Sequence, residues 1–530
     1  MTALAGVRPL LRFMLRRDRV YLPVWVLGIV AVTYASLSAV RGLYDTPRAI
    51  AAYASTVAAS PASIALAGPP FAMDQIGGIL IYETSLTALL GVALMAVFTV
   101  VRHTRREEDA GRVELLGSTV VSPHAMITAA VLVASLASLL VGLGVAVSFL
   151  VEQQPLEQSL LYGASIAALG VVFTGVGAAA AQLMSHGRGA IGVSLGVLAL
   201  AYGVRAIGDV GESRLSWLSP MGWSQQVGVY ELDRWWPLGL SALFTGGMFV
   251  LTVVLESRRD LGSGVLTPRA GPAAAGPLLS GVVGLSWRLQ RGALLGWVVG
   301  VVAMAALLGS FSESIEDMVA ENPALSDVFA AGAAETLVDA YMAISLLLLG
   351  IGAAGFAVSS ALRMRSEESS GRLEPVLATG VSRGRWFAGN LLVTLVGTVV
   401  LVVSGGLGLG LSYAVTSGLP AKAWELTRAS LVYLPAVLLV AAVGVLLFGW
   451  VPRLVAVVWA LVAFAFVVAW LGELLEIPAR VADLSPFSHL PAVPTEAVTA
   501  GPLVLLSLVT LVALAGGWLG FHRRDVGAGA

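Results

Sequence analysis

The sequence predicts an all-α integral membrane protein, with twelve transmembrane helices set out as two parallel six-helix repeats. Three observations carry this prediction. First, 57% of the 530 residues are apolar and 12% are charged, with a mean hydropathy of +0.88. A soluble domain is about 45–50% apolar and about 25% charged. Second, apolar runs long enough to cross a bilayer recur twelve times. Third, one charged loop occurs twice.

A helical span needs about 20 mostly apolar residues. In the first half such runs cover residues 21–40, 79–101, 126–151, 158–183, 190–208 and 237–256. In the second half they cover 292–311, 339–361, 387–415, 425–450, 454–471 and 501–521. A signal peptide is the competing reading of residues 1–40, but the apolar stretch is too long and no small-residue cleavage site follows it. It reads as a first span, entered through a basic amphipathic segment (Arg8, Arg12, Arg16, Arg17, Arg19) lying on the inner interface. With both termini cytoplasmic, 23 of the 31 Lys and Arg residues fall on the inner side, as the positive-inside rule requires. Arg205 and Arg428 fall within spans and are expected to snorkel to the outer interface.

Several classes of chemistry are excluded. A net charge of −1 creates no field for nucleic acid. With no cysteine there is no disulfide or thiolate site. The five histidines are scattered without metal-ligand spacing. A P-loop needs a lysine in G-x-x-x-x-G-K-[ST]. The single lysine, Lys422, follows Leu419-Pro420-Ala421 and precedes an alanine. No nucleotide site is expected in this chain.

The duplication is the sharpest signal. Arg105-Arg106-Glu107-Glu108-Asp109-Ala110-Gly111-Arg112-Val113-Glu114 runs on to Thr119-Val120-Val121-Ser122. Arg365-Ser366-Glu367-Glu368-Ser369-Ser370-Gly371-Arg372-Leu373-Glu374 runs on to Thr379-Gly380-Val381-Ser382. Nine of these 18 aligned positions are identical. Trp25 and Gly28 recur as Trp297 and Gly300, Leu218-Ser219-Pro220 as Leu484-Ser485-Pro486, and Arg258-Arg259-Asp260 as Arg523-Arg524-Asp525. The division is a first half at 1–260, a cytoplasmic linker at 261–284 and a second half at 285–530. Parallel repeats of six spans imply a pseudo-twofold axis along the membrane normal and a substrate path between the halves.

The repeated loop lies on the inner side and asks for a partner. Read as one continuous helix, it puts Glu107, Gly111 and Glu114 on one face and lets Glu108 pair with Arg112 at i, i+4. Such a pair is worth only about 0.2–0.5 kcal/mol, too little to explain two copies. A partner's cleft that desolvates the charges offers more.

A loop reading E-E-x-x-G-R-x-E between spans 2 and 3, followed by Thr-x-Val-Ser and a third span, resembles the permease subunit of ABC type-2 exporters. The tandem twelve-span form is similar to actinobacterial exporters of polyketide antibiotics, including the tetronasin-type and mycobacterial multidrug exporters. The resemblance covers the whole chain. It implies a bacterial inner-membrane permease moving hydrophobic or amphiphilic compounds outward. Two copies of a separate ATPase subunit, carrying ATP and Mg, would supply the energy, and this chain would hold no cofactor or catalytic residue. The coupling loops it implies are Arg105, Glu107, Glu108, Gly111, Arg112 and Glu114, and likewise Arg365, Glu367, Glu368, Gly371, Arg372 and Glu374. Pro375 stands where the first loop has Leu115 and is expected to end or bend the second helix.

Tyr82, Phe98, Tyr341, Met342, Phe356, Trp459, Phe464 and Phe466 are the candidates for lining a pocket for an apolar compound, although aromatics in spans mostly pack or sit at interfaces. A major-facilitator secondary carrier, needing no ATPase, is the alternative reading. The acidic loops and the long outer loop at 41–78 speak against it.

Overall fold

The structure is a computed structural model describing residues 5–526 apart from 45, 59, 118–120, 261, 267–273, 277–278, 280, 321–332 and 472–476. It divides into two compact units, Met1–Gly271 and Pro272–Ala530. Among the described residues each contains six helices long and apolar enough to cross a membrane. Among the described residues there is no strand, only an isolated bridge between Met184 and Leu266. Thr119 and Val120, and 11 of the 24 residues of the expected linker, lie outside the described residues.

Unit 1 runs α1 (Val7–Arg17), α2 (Tyr21–Leu43), α3 (Pro47–Ala58), α4 (Pro61–Ala67), α5 (Ile76–His103), α6 (Arg105–Asp109) and α7 (Arg112–Gly117). It continues with α8 (Ala125–Val151), α9 (Leu156–Leu183), α10 (Gly187–Val210), α11 (Pro220–Gln225) and α12 (Pro237–Glu256). The centre is α9, which buries 83% of its most apolar stretch, beside α5 at 67%; α2 and α12 bury 22%. Small residues make this possible, because lipid tails give helices no hydrophobic reason to associate and close backbone packing must do so. A Cβ on Gly142 of α8 would sit 2.3 Å from the Gly163 carbonyl oxygen of α9.

The long loop at 41–78 is partly helical, forming α3 and α4. Arg205 on α10 explains how it is held, and corrects the snorkelling expectation. The side chain is fully buried. Its guanidinium donates to the carbonyls of Ile64 (3.2 Å), Ala65 (2.9 Å) and Leu66 (3.1 Å) at the end of α4. It lies 3.6 Å from Asp209 and over the Tyr202 ring. The last carbonyls of a helix lack partners and carry partial negative charge, so a cation is favoured there. Arg428, by contrast, is exposed beside the Trp424 ring.

Unit 2 runs α13 (Val282–Ala320), α14 (Ala333–Ala361), α15 (Arg363–Ser369), α16 (Leu373–Ala378), α17 (Arg383–Ser417), α18 (Ala421–Ser430), α19 (Leu434–Trp450), α20 (Val458–Leu471), α21 (Ala479–Ala482) and α22 (Ala500–Arg523). Here α14 is the most buried span and α13 and α20 the least. Helix α13 starts ten residues before the apolar run at 292–311. Its polar first turns are accommodated because Ser286 donates to Asn390 (3.1 Å) and Gln290 accepts from Ser360 (2.5 Å). The run at 425–450 is divided by a 3-10 turn at Leu431–Tyr433, just before Pro435.

The repeated Leu-Ser-Pro is a capping device. Ser219 accepts from the amides of Met221 and Gly222 at the start of α11, and Ser485 accepts from Phe487. Proline follows at the first helical position, where no donor is needed. Both serines are buried.

Candidate functional site

The loop after the second span of each unit is not one helix. Glycine divides it into α6 and α7, and into α15 and α16, because Gly111 has φ +69° and Gly371 has φ +68°. That left-handed geometry is nearly free for glycine and strained for other residues. Each glycine amide donates to the carbonyl three residues back, Glu108 and Glu368 respectively (2.9 Å in both). The turn overturns the expected i, i+4 pairing. Arg112 instead reaches Glu107 at 2.6 Å, and Arg372 reaches Glu367 at 3.3 Å. It also removes the effect expected of Pro375: the helix restarts at Leu373, so this proline sits in a first turn whose amides have no helical partner.

The paired glutamates point inward. Glu108 meets Arg105 and, at 2.5 and 2.8 Å, Arg259 just beyond α12. Arg259 also donates to Gln182 (2.6 Å), and Arg105 to the carbonyls of Met184 (2.7 Å) and Ser263 (2.6 Å). In unit 2, Glu368 meets Arg524 just beyond α22 through two contacts, one at 2.7 Å, and Arg365 at 3.4 Å. The Glu368 carboxylate has no exposed surface and that of Glu108 has 5%. Buried charges persist when paired and hydrogen-bonded, and here the pairs are internal. Where the sequence reading looked to a partner's cleft to desolvate these charges, the two carboxylates are already desolvated within their own unit. Each ties the loop to the end of its unit's last span.

Outward-facing residues are Arg106, Asp109, Arg112 and Glu114 in unit 1, and Ser369, Ser370, Arg372 and Glu374 in unit 2. Helix α1 braces the first loop, with Arg17 on Glu107 at 2.5 Å. The buried Asp18 contacts His103 (2.5 Å) and Arg102 (3.1 Å). Burial alone would push the Asp18 carboxyl up. The His103 hydrogen bond and charge, with Arg102, outweigh it and hold the carboxyl below its usual range.

The candidate lining residues are divided between the two units. Tyr82 borders a cleft in unit 1. Phe98 packs against Trp25 with ring centres 6.0 Å apart, and Phe356 against Trp297 at 6.3 Å. Tyr341 donates to the Leu308 carbonyl (2.8 Å), and Met342 is fully buried. On α20, Phe464 is half-buried, while Trp459 and Phe466 are exposed.

Over 524 residues the chain is 39% identical to the multidrug efflux system permease protein Rv1217c of Mycobacterium tuberculosis (strain ATCC 25618 / H37Rv), covering 98% of this chain and 95% of that protein. Residues 279–522 match the family described as multidrug efflux system permease Rv1217c, C-terminal domain. The chain belongs to this family of multidrug efflux permeases.

In this permease the buried contacts of the two loops are made with two residues that were not among the sequence candidates, Arg259 and Arg524. Their signal was present in the repeated Arg-Arg-Asp that follows the last span of each half. Among the described residues no group of three His, Asp or Glu is placed to hold a metal. Buried ion pairs join α6 to Arg259 just beyond α12, and α15 to Arg524 just beyond α22.

Proposed function

We propose that this permease is the membrane-spanning subunit of an ATP-binding cassette exporter, with two tandem halves in one chain and one copy of a separate ATPase subunit docked on each loop. The observation that carries the reading is the loop itself. A glycine turn, a local Arg–Glu pair and a buried Glu–Arg latch between residues far apart in the chain are built twice, at equivalent positions. One such socket per ATPase copy accounts for the duplication. The lone lysine outside any P-loop is why the nucleotide, with its Mg, belongs to the partner. Export of hydrophobic or amphiphilic compounds follows the relative's efflux role, and membrane lipid surrounds the spans.

The docking surface of this proposal is Arg112, Glu114, Arg372 and Glu374, rather than the buried glutamates. The Arg112 and Arg372 side chains are 53% and 58% exposed, so reversing them removes little packing. Arg112→Glu with Arg372→Glu should weaken association with the ATPase about tenfold or more, while the melting midpoint of the purified permease stays near wild type. Pull-down with the ATPase together with substrate-stimulated ATP turnover reads both loops. Normal turnover and transport in the double variant, or transport persisting with no ATPase present, would overturn the reading in favour of a secondary carrier.

Orientation is proposed with the loops and both termini in the cytoplasm of a bacterial inner membrane. Single cysteines at the exposed Glu212 and Asp483 should react with an impermeant maleimide added to intact cells, and ones at the exposed Asp109 and Ser369 should not. The converse pattern inverts the topology. Ser219 and Ser485 are unsuitable markers, since both are buried caps.

A further inference from the structure

In unit 2 a groove of about 330 Å³ lies among α14, α17, α19 and α22. Small buried side chains, Ala361, Ala441 and Ala442, leave the space at its base. Its rim is Leu392 and Leu395 of α17 and Leu511 of α22, which are 46%, 42% and 62% exposed. Three hydroxyls line it, and each already has a partner one turn back in its own helix. Thr394 donates to the Asn390 carbonyl (3.1 Å), Ser507 to Leu503 (2.7 Å) and Thr510 to Leu506 (2.8 Å). A polar molecule entering here would lose its hydration without return, whereas a hydrocarbon chain would not. Along α19 the lining runs from Pro435 to Val445, about 15 Å at the helical rise. That is half of a hydrocarbon core about 30 Å thick, the depth of one leaflet.

The charge beyond the groove says which chain. At the end of unit 2 that carries the loop, the helices of the groove are tied together. Arg383 at the start of α17 donates to the carbonyls of His522 (3.2 Å) and Arg524 (2.8 Å), and the Trp450 indole at the end of α19 donates to Gly516 of α22 (2.9 Å). The chain at these ends, residues 379–386, 450–457 and 522–526, holds five arginines and one carboxylate, Asp525. Arg524 is committed to Glu368. Arg385, Arg453 and Arg523 are exposed and, among the described residues, enter no ion pair. Helix period puts Arg385 on the face of Leu392, at i+7, and puts Trp518 and His522 on the face of Leu511, at i+7 and i+11. Tryptophan belongs at the level where lipid tails meet headgroups. Chain-shaped apolar walls, an interfacial tryptophan and then unpaired arginines are complementary to a lipid whose headgroup is an anion. We propose that the groove holds one acyl chain of an anionic phospholipid from the surrounding bilayer, with the phosphate at Arg385 and Arg523. The site lies wholly within unit 2 and depends neither on the exporter reading nor on the orientation of the chain.

Two photoactivatable lipids test it on the full-length permease in phosphatidylcholine vesicles. One is a phosphatidylglycerol and the other a phosphatidylcholine, each with a diazirine in one acyl chain, at equal low mole fraction, and labelled peptides are mapped by mass spectrometry. The phosphatidylglycerol should label the groove segments of α17, α19 and α22 about tenfold more than the phosphatidylcholine, because each arginine adds to the attraction for an anionic lipid. Arg385→Gln with Arg523→Gln should remove that excess. Arg12→Gln with Arg258→Gln, which neutralises two exposed arginines of unit 1, should leave it. Ser507→Phe, at an exposed position of the groove wall, should lower groove labelling by both probes while the unfolding midpoint stays near wild type. Equal labelling by the two lipids overturns the proposal, since it is the result for unselective contact with the bilayer. An excess that survives the double arginine variant also overturns it. So does groove labelling that unlabelled phosphatidylglycerol fails to suppress and rhodamine 6G suppresses, the result for a cargo site.

Discussion

Glu368→Gln will lower the unfolding midpoint of the purified permease far more than neutralising any exposed charge on the same loop, and Glu368→Lys will keep the protein from accumulating in the membrane. The carboxylate has no exposed surface and lies between Arg524 and Arg365. Removing its charge leaves the mostly buried Arg524 guanidinium without its counter-ion, against the rings of Phe448 and Phe521. Breaking one partner of a buried pair costs about 3–5 kcal/mol. A lysine adds a third cation to the same space. The decisive control is the exchange of Glu368→Arg with Arg524→Glu, which should recover part of the loss if the pair itself is responsible. Glu108→Gln should behave alike, because Arg105 and Arg259 are both buried around it. A midpoint shift under about 2 °C for Glu368→Gln corresponds to less than 1 kcal/mol in a unit of this size, and would show that the latch does not hold the loop to α22.

Arg205→Leu will free the segment joining the first two spans. The substitution leaves Asp209 buried without a cation and takes a donor from the Ile64, Ala65 and Leu66 carbonyls, of which Ile64 keeps the Gly68 amide and Leu66 the Tyr202 hydroxyl. An uncompensated buried charge again costs about 3–5 kcal/mol, and the lost donor of Ala65 adds to it. Amide hydrogen exchange should rise selectively across α4 and α10, before any change in α8 or α9. Arg205→Leu combined with Asp209→Leu should be better tolerated than Arg205→Leu alone, because an apolar pair replaces a half-broken ionic one. Unchanged exchange in α4 after Arg205→Leu would mean that Tyr202 and Gln225, which also donate to carbonyls of this segment, suffice to hold it.

The spans were legible in the sequence because crossing lipid is a local demand. About 20 apolar residues are needed in a row, and backbone groups must pair within the segment. Composition alone therefore places α2, α5, α8, α9 and α12 to within a few residues. Leu-Ser-Pro, read as a repeated landmark, is likewise a local device, a serine cap followed by a proline. Where local rules were extended too far, they failed. Treating the charged loop as a continuous helix gave Arg112 the wrong glutamate, because Gly111 takes a left-handed conformation that ends one helix and starts another.

What the sequence by itself determined is the number and order of the membrane helices and the two positions at which the charged loop recurs. Only the tertiary structure decided which charges meet. Glu108 and Arg259 are 151 residues apart, and Glu368 and Arg524 are 156. No spacing rule links such residues. Arg205 carries the same lesson, since an arginine near a span end reads as a side chain reaching for water until a separate helix presents carbonyls to it. The physical reason is common to all three. Apolar length and helix period are properties of neighbouring residues, whereas a buried charge is stable only where the fold delivers its partner.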